Sequence, residues 1–184
     1  MKNQRICVFC ASSFGGDPAY AQAAGEMGAL IGKQGRDLVY GSSLYGLMGV
    51  VATAAQQNGS HVTGVNITKF NFPDRVQNED EYIVTETLQQ RKVKMLELSD
   101  AFIALPGGIG TLDEMCEILA MLQLHLCRQP IGFLNVKGFY EPFRAFIDHM
   151  VAAGFLKLED AELVILRDTP EEMLKALDEA AERM

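Results

Sequence analysis

Positive charge is scarce in this chain. Sixteen lysines and arginines stand against 24 aspartates and glutamates, a formal net charge of −8. That balance disfavours nonspecific binding to nucleic acid or to an anionic membrane. A phosphate-bearing ligand therefore has to be held by a local site. No apolar run is long enough to cross a bilayer. The N-terminal Met1-Lys2-Asn3-Gln4-Arg5 leads straight into a strand-like segment, with no secretory signal, so a cytoplasmic location is expected. Histidine is also sparse: His61, His125 and His149 are scattered and pair with no cysteine or carboxylate at metal-ligand spacing. No metal and no cofactor is expected. Cys7 and Cys10 are spaced like a redox pair, but they lie in the apolar run Ile6 to Cys10. On a strand that spacing puts them on opposite faces, whereas a reactive Cys-x-x-Cys needs a helix N-terminus. With Cys116 and Cys127, they read as reduced thiols.

What is present is alternation. Short apolar strands are expected at Arg5 to Cys10, Asp37 to Tyr40, Val62 to Val65, Ala101 to Leu105, Ile131 to Leu134 and Leu163 to Leu166. Helices are expected between them. Asp17-Pro18 opens one, by an N-cap followed by proline at the first position. An alanine-rich helix runs to Asn58, and others span Thr87 to Ser99, Met115 to Leu126 and Tyr140 to Ala153. Thr169-Pro170-Glu171-Glu172 is a capping box that opens the last helix, Pro170 to Arg183. Ile67 to Glu81, with Phe70, Phe72 and Pro73, reads as irregular. The length of 184 residues suits one domain, and there is no repeat or linker. The fold class is α/β: residues 1–184 form a single Rossmann-like, doubly wound parallel sheet with helices on both faces. Ligands in such sheets sit at the carboxyl ends of the strands, where three small-residue loops fall: 11–16, 41–49 and 107–111.

The last of these loops carries the most information. Pro106-Gly107-Gly108-Ile109-Gly110-Thr111-Leu112-Asp113-Glu114 follows a strand and opens a helix. Glycines let backbone approach a ligand, and the N–H groups and dipole of a helix start favour phosphate. Gly107, Gly108, Gly110 and Thr111 are the candidate phosphate residues. Glu114 has two readings: the far member of a capping box with Thr111, or a catalytic carboxylate. Glu117, one turn on, adds a second carboxylate to that face. Arg91 falls on the apolar face formed by Leu88, Met95 and Leu98. A guanidinium cannot shed its charge there, so it either pairs with Glu86 or Glu97 or clamps an anion, aided by Lys92 or Lys94. Gly41-Ser42-Ser43-Leu44-Tyr45-Gly46-Leu47-Met48-Gly49 does not fit G-x-G-x-x-G. Residues 59–68 also lack the acidic residue that a dinucleotide ribose calls for, which argues against a nicotinamide enzyme. The helix after Thr111 is apolar nearly all round, which points to a homodimer through residues 112–126.

Arg91-Lys92 followed by Pro106-Gly107-Gly108-x-Gly110-Thr111-x-x-Glu114 resembles the LOG family of cytokinin riboside 5′-monophosphate phosphoribohydrolases. Its members are often mislabelled lysine decarboxylases. The resemblance runs from Ile6-Cys7-Val8-Phe9-Cys10-Ala11-Ser12-Ser13 to about Phe155. It implies a Rossmann-like dimer that cleaves the N-glycosidic bond of a nucleoside 5′-monophosphate, with Arg91 and Glu114 as the essential pair. It further implies a phosphate on Gly107 to Thr111 and a nucleotide pocket along Gly41 to Gly49. The candidate substrate-contacting residues are Ser12, Gly41, Ser42, Gly46, Met48, Lys92 and Glu117. The chain departs from the family pattern at Ser42-Ser43, where consecutive glycines are usual. It departs again at Leu88-Gln89-Gln90, where many members have Met and His before the Arg-Lys pair. The third departure is Asn66-Ile67, where Ile-Pro is usual. An AMP-like substrate is expected, with or without an N6 substituent. The rival reading is a nucleotide or molybdenum-cofactor carrier on the same scaffold.

Overall fold

Strands of three to six residues, apolar on both faces, are stable only where helices cover both sides of a sheet. The computed structural model, which describes residues 4–70 and 79–183, has that arrangement. In chain order its elements are β1 (Arg5–Phe9), α1 (Pro18–Lys33), β2 (Asp37–Tyr40), α2 (Gly46–Gln57), β3 (Val62–Ile67), β4 (Glu81–Thr85), α3 (Leu88–Leu98), β5 (Ala101–Ala104), α4 (Ile109–Gln123), β6 (Ile131–Leu134), α5 (Glu141–Ala152), α6 (Leu158–Ala161), β7 (Ile165–Arg167) and α7 (Pro170–Ala181). The seven strands form one sheet in the order β4-β3-β2-β1-β5-β6-β7. Every described pairing is parallel.

Strand order reverses at β1, which pairs with β2 on one side and β5 on the other. At such a switch point the following loops diverge and leave a crevice. Register keeps the crevice level: Val8 lies opposite Tyr40, and Phe9 opposite Ala104. The loops after β1, β2 and β5 therefore leave the sheet at nearly one height.

Each face of the sheet holds its own core. Ile6, Val8 and Cys10 pack with α1, α2 and α7, while Cys7 and Phe9 pack with α3, α4 and α5. The two cysteines thus lie on opposite faces, as their spacing requires, and all four are free thiols. The expected caps are present. Asp17 Oδ1 accepts from the Ala19 N–H at 2.8 Å, and Thr169 Oγ1 from the Glu172 N–H at 3.3 Å.

The structure corrects three local expectations. β3 runs on to Ile67, and β4 starts at Glu81, the last residue of the stretch read as irregular, and fills residues 82–85, where no strand was expected. β4 is an edge strand, half exposed, so it lacks the buried apolar run that marks the inner strands. The rest of that stretch, residues 71–78 with Phe72 and Pro73, lies outside the described residues. α4 starts at Ile109, a turn and a half before the apolar run that signalled it. α6 is a single turn and has no period to read.

Helices α1 and α2 pack with their backbones almost touching. A Cβ at Gly28 would overlap the Val51 carbonyl oxygen, and one at Gly32 would lie 2.7 Å from the Ala55 carbonyl oxygen. Gly28→Ala sets two effects against each other. Helix propensity favours alanine by about 1 kcal/mol, while forcing a methyl against backbone costs about 1–3 kcal/mol. The clash should win, because a carbonyl inside a helix cannot step aside. Urea denaturation should show a lower midpoint at unchanged slope; a raised midpoint would mean that the helices are not in close contact.

Candidate active site

The site begins with Ala11. Its N–H donates to the Pro106 carbonyl at 3.2 Å, and its own carbonyl accepts from the Leu47 and Met48 N–H groups at 3.1 and 3.4 Å. One residue thus ties the loop after β1 to the loop after β5 and to the start of α2. It also occupies the first amides of α2. The N-cap of α4 is Gly108, and no side chain caps it. The first N–H groups of a helix have no partner inside it, so α4 is left to present its dipole and donors to a ligand.

A cavity of about 720 Å³ opens at this point, a volume ordinary for small-molecule sites. Its walls include Ser12, Gly41, Ser42, Met48, Arg91, Gly108, Gly110, Thr111 and Glu114, all expected from the sequence. Four other expected residues are not in the wall. Gly107 lies where a Cβ would overlap the Thr111 side chain, so its small size seats buried Thr111. Gly46 has a φ of +60° and abuts the backbone of Ser12 and Ser13; glycine is needed there for loop-to-loop contact. Lys92 and Glu117 form the third and fourth exceptions. Lys92 Nζ lies 2.8 Å from Glu117 and 3.0 Å from Asp113, clasping α3 to α4. Burial works to lower the Lys92 pKa, but the hydrogen bonds and charges of Glu117 and Asp113 outweigh it and hold the ammonium above its ordinary value.

Sequence reasoning left two readings for Glu114, and the geometry overturns the cap. Thr111 lies inside α4, and the N-cap is three residues earlier. Glu114 Oε1 instead accepts from Arg91 Nη1 at 2.7 Å. Arg91 likewise pairs with neither Glu86 nor Glu97. Its Nε donates to the Val65 carbonyl at 2.9 Å, and its Nη2 lies so close over Gly41 that a Cβ there would overlap it. The two side chains are only 13% and 12% exposed. Burial pushes the Glu114 carboxyl above the ordinary carboxylate value, and Arg91 opposes that without cancelling it. The result is a largely buried carboxyl, held above the ordinary carboxylate range by desolvation and fixed by an obligate cation.

Cys10 also lines the cavity. Burial, then the Glu114 charge, pushes its thiol far up, so it is no thiolate nucleophile. The wall also holds Val8, Phe9, Ala11, Ser13, Leu88 and Met95, none of them singled out from the sequence, with Ser43 and Tyr45 of the 41–49 segment, Ile109 of the glycine loop, and Asn66. Leu88 was seen only as a helix residue and Ile109 only as part of the glycine loop, yet both stand exposed at the rim. Asn66 carried a signal, a buried polar residue in an apolar strand, and its departure from the family pattern was expected to touch the pocket rim. Among the described residues, no group of three His, Cys, Asp or Glu side chains converges as a metal-binding set.

Residues 48–177 match the family model described as "possible lysine decarboxylase". The chain is 42% identical over 178 residues to the cytokinin riboside 5′-monophosphate phosphoribohydrolase LOG of Oryza sativa, covering 96% of this chain and 73% of that protein. It is 41% identical to a protein of the same name, LOG3, from Arabidopsis thaliana, covering 98% and 84%. Among solved structures it superposes on the molybdenum cofactor binding protein of Rippkaea orientalis with a TM-score of 0.73 at 21% identity, covering 97% of this chain and 98% of the other. The Moco carrier protein of Chlamydomonas reinhardtii gives 0.73 at 19%, over 100% of both. At those identities the likeness is one of fold.

The site's electrostatics have a measurable consequence. Burial raises the Glu114 pKa and Arg91 lowers it, so Arg91→Met should move the carboxyl further up. A 13C-carboxyl NMR titration should find Glu114 above the ordinary value of about 4.3 in the unmodified protein and higher again in the variant. An upward shift caused by burial has to disappear from the interpretation if Glu114 titrates normally in both.

Proposed function

The chain belongs to the LOG family of cytokinin riboside 5′-monophosphate phosphoribohydrolases, and we propose that it hydrolyses the N-glycosidic bond of an AMP-like nucleoside 5′-monophosphate. The products are free base and ribose 5-phosphate. The observation that carries this reading is the buried Arg91–Glu114 pair, set one turn inside an uncapped helix start at the end of one cavity.

In this reading the phosphate sits on the first turn of α4, against the N–H groups near Gly108, Gly110 and Thr111. The sugar then lies over Glu114. As the bond from the anomeric carbon to the base nitrogen breaks, the electron pair leaves with the base and the sugar becomes oxocarbenium-like. The Glu114 carboxylate stabilises that cation and takes a proton from the attacking water. The water oxygen bonds to the anomeric carbon, and a proton ends on the departing base. Arg91 favours the ionised form of Glu114 against burial and offers its remaining N–H groups to phosphate or base. Lys92 and Glu117 act from behind, by holding α3 on α4. Tyr45, Leu88 and Ile109 give the cavity an exposed apolar rim, which supports a base carrying an apolar N6 substituent. The carrier reading draws on fold likeness alone and does not require a buried acid–cation pair. No residue of the wall calls for a cofactor in this chemistry.

The protein should release base from AMP and faster from N6-isopentenyl-AMP, followed by chromatography of base and ribose 5-phosphate. Glu114→Gln keeps the shape and removes the charge; it should fold normally and lose roughly a hundredfold or more in turnover. Near-normal turnover in that variant would remove the mechanism, and absence of base release from any nucleoside monophosphate would remove the activity.

We extend the proposal to a cytoplasmic homodimer through helix 112–126. No helix among the described residues is long and apolar enough to cross a membrane. Met115, Ile118 and Leu122 bury one face of α4, while Leu124 and Leu126 stand exposed just past its end. Sedimentation equilibrium should return twice the mass of one chain at micromolar concentration; a single-chain mass would rule the dimer out.

A further inference from the structure

Ser42 is an anomaly. It is a non-glycine residue at φ +50°, only 4% exposed, in the cavity wall. The left-handed region is strained for such a residue, and it persists only where the surroundings over-determine it. Here they do so from two sides. The Ser42 carbonyl accepts from Asn66 Nδ2 at 3.2 Å, and its hydroxyl donates to Glu79 at 2.9 Å. Glu79 also accepts from the Tyr40 hydroxyl. Its carboxylate lies against Gly64, where a Cβ would approach within 2.7 Å. One carboxylate thus joins the end of β2 to the approach to β4, across β3, from outside the cavity.

Arg91 depends on the same loop. Its Nη2 rests over Gly41, next to Ser42, and its Nε is bonded to Val65, next to Asn66. The seat of the guanidinium is therefore two neighbouring pieces of backbone whose spacing Ser42 and Asn66 set. Building on the proposed activity, we propose that Glu79 is a positioning residue for Arg91: it pins Ser42 in its left-handed conformation and so fixes the seat from which Arg91 holds Glu114.

The test is a cycle of Glu79→Ala, Ser42→Ala and the double variant in 15N-labelled protein, read on the Arg91 Nε–H resonance, assigned by its loss in Arg91→Lys. Each single substitution should move that resonance in the same sense and lower kcat/KM on AMP by roughly tenfold or more. The double variant should do no worse than either single, because both cut one link. Glu79→Gln keeps an acceptor oxygen and should recover most of the loss. An unmoved Arg91 resonance in either single, or additive effects in the double, overturns the proposal. If Glu79→Ala does not fold, Glu79→Met, which keeps the length and removes the acceptor, replaces it in the cycle, with non-additivity again required. A parent protein that releases no base defeats the proposed activity but leaves the resonance cycle to decide the role of Glu79.

Discussion

A guanidinium that cannot give up its charge has to be paid for by structure wherever it is buried. Arg91 is such a group, and much of the site follows from it. Glu114 supplies the counter-charge, the Val65 carbonyl takes Nε, and Gly41 leaves room for Nη2. The cost of drying the pair shows up on Glu114, whose carboxyl stays above its ordinary pKa even with a cation 2.7 Å away. A surface pair at that distance would leave both partners unremarkable. Here burial outweighs the same contact and holds the carboxyl above its ordinary range. Stability and reactivity are thus set by one desolvation.

The sheet explains why such a pair can exist in a chain of net charge −8. Attraction for an anion cannot come from the surface, so it is concentrated at the switch point of strand order. There α4 aims its N-terminus into the cavity and α3 brings Arg91 across from the β3 side. The clasp of Lys92 on Asp113 and Glu117 fixes the angle between those two helices. Lys92 and Glu117, expected to contact substrate, bridge α3 and α4 outside the cavity wall.

Much of this was legible before any coordinates. Parallel order, the three carboxyl-end loops and the opposed faces of Cys7 and Cys10 follow from strand length and a period of two. The phosphate-type loop followed from glycines placed between a strand and a helix. What could not be read were contacts between distant segments. Glu86 and Glu97 lay closer to Arg91 in sequence than Glu114 did, and Thr111-x-x-Glu114 satisfied a capping pattern that the chain leaves unused because α4 begins at Ile109. Gly46 and Gly107 announced close approach, which is real, but the approaching group is the protein's own backbone or side chain. Glu79 gave no signal at all, since its meaning depends on Tyr40 and Ser42, more than thirty residues away.

Ala11 has one consequence that concerns time and temperature. Its peptide is shared by the loop after β5, the start of α2 and the end of β1, so loosening any one of these breaks hydrogen bonds that hold the others. The binding site then melts as a single cooperative unit together with the centre of the sheet, and heat removes activity and fold in the same step, without passing through a folded but inactive form.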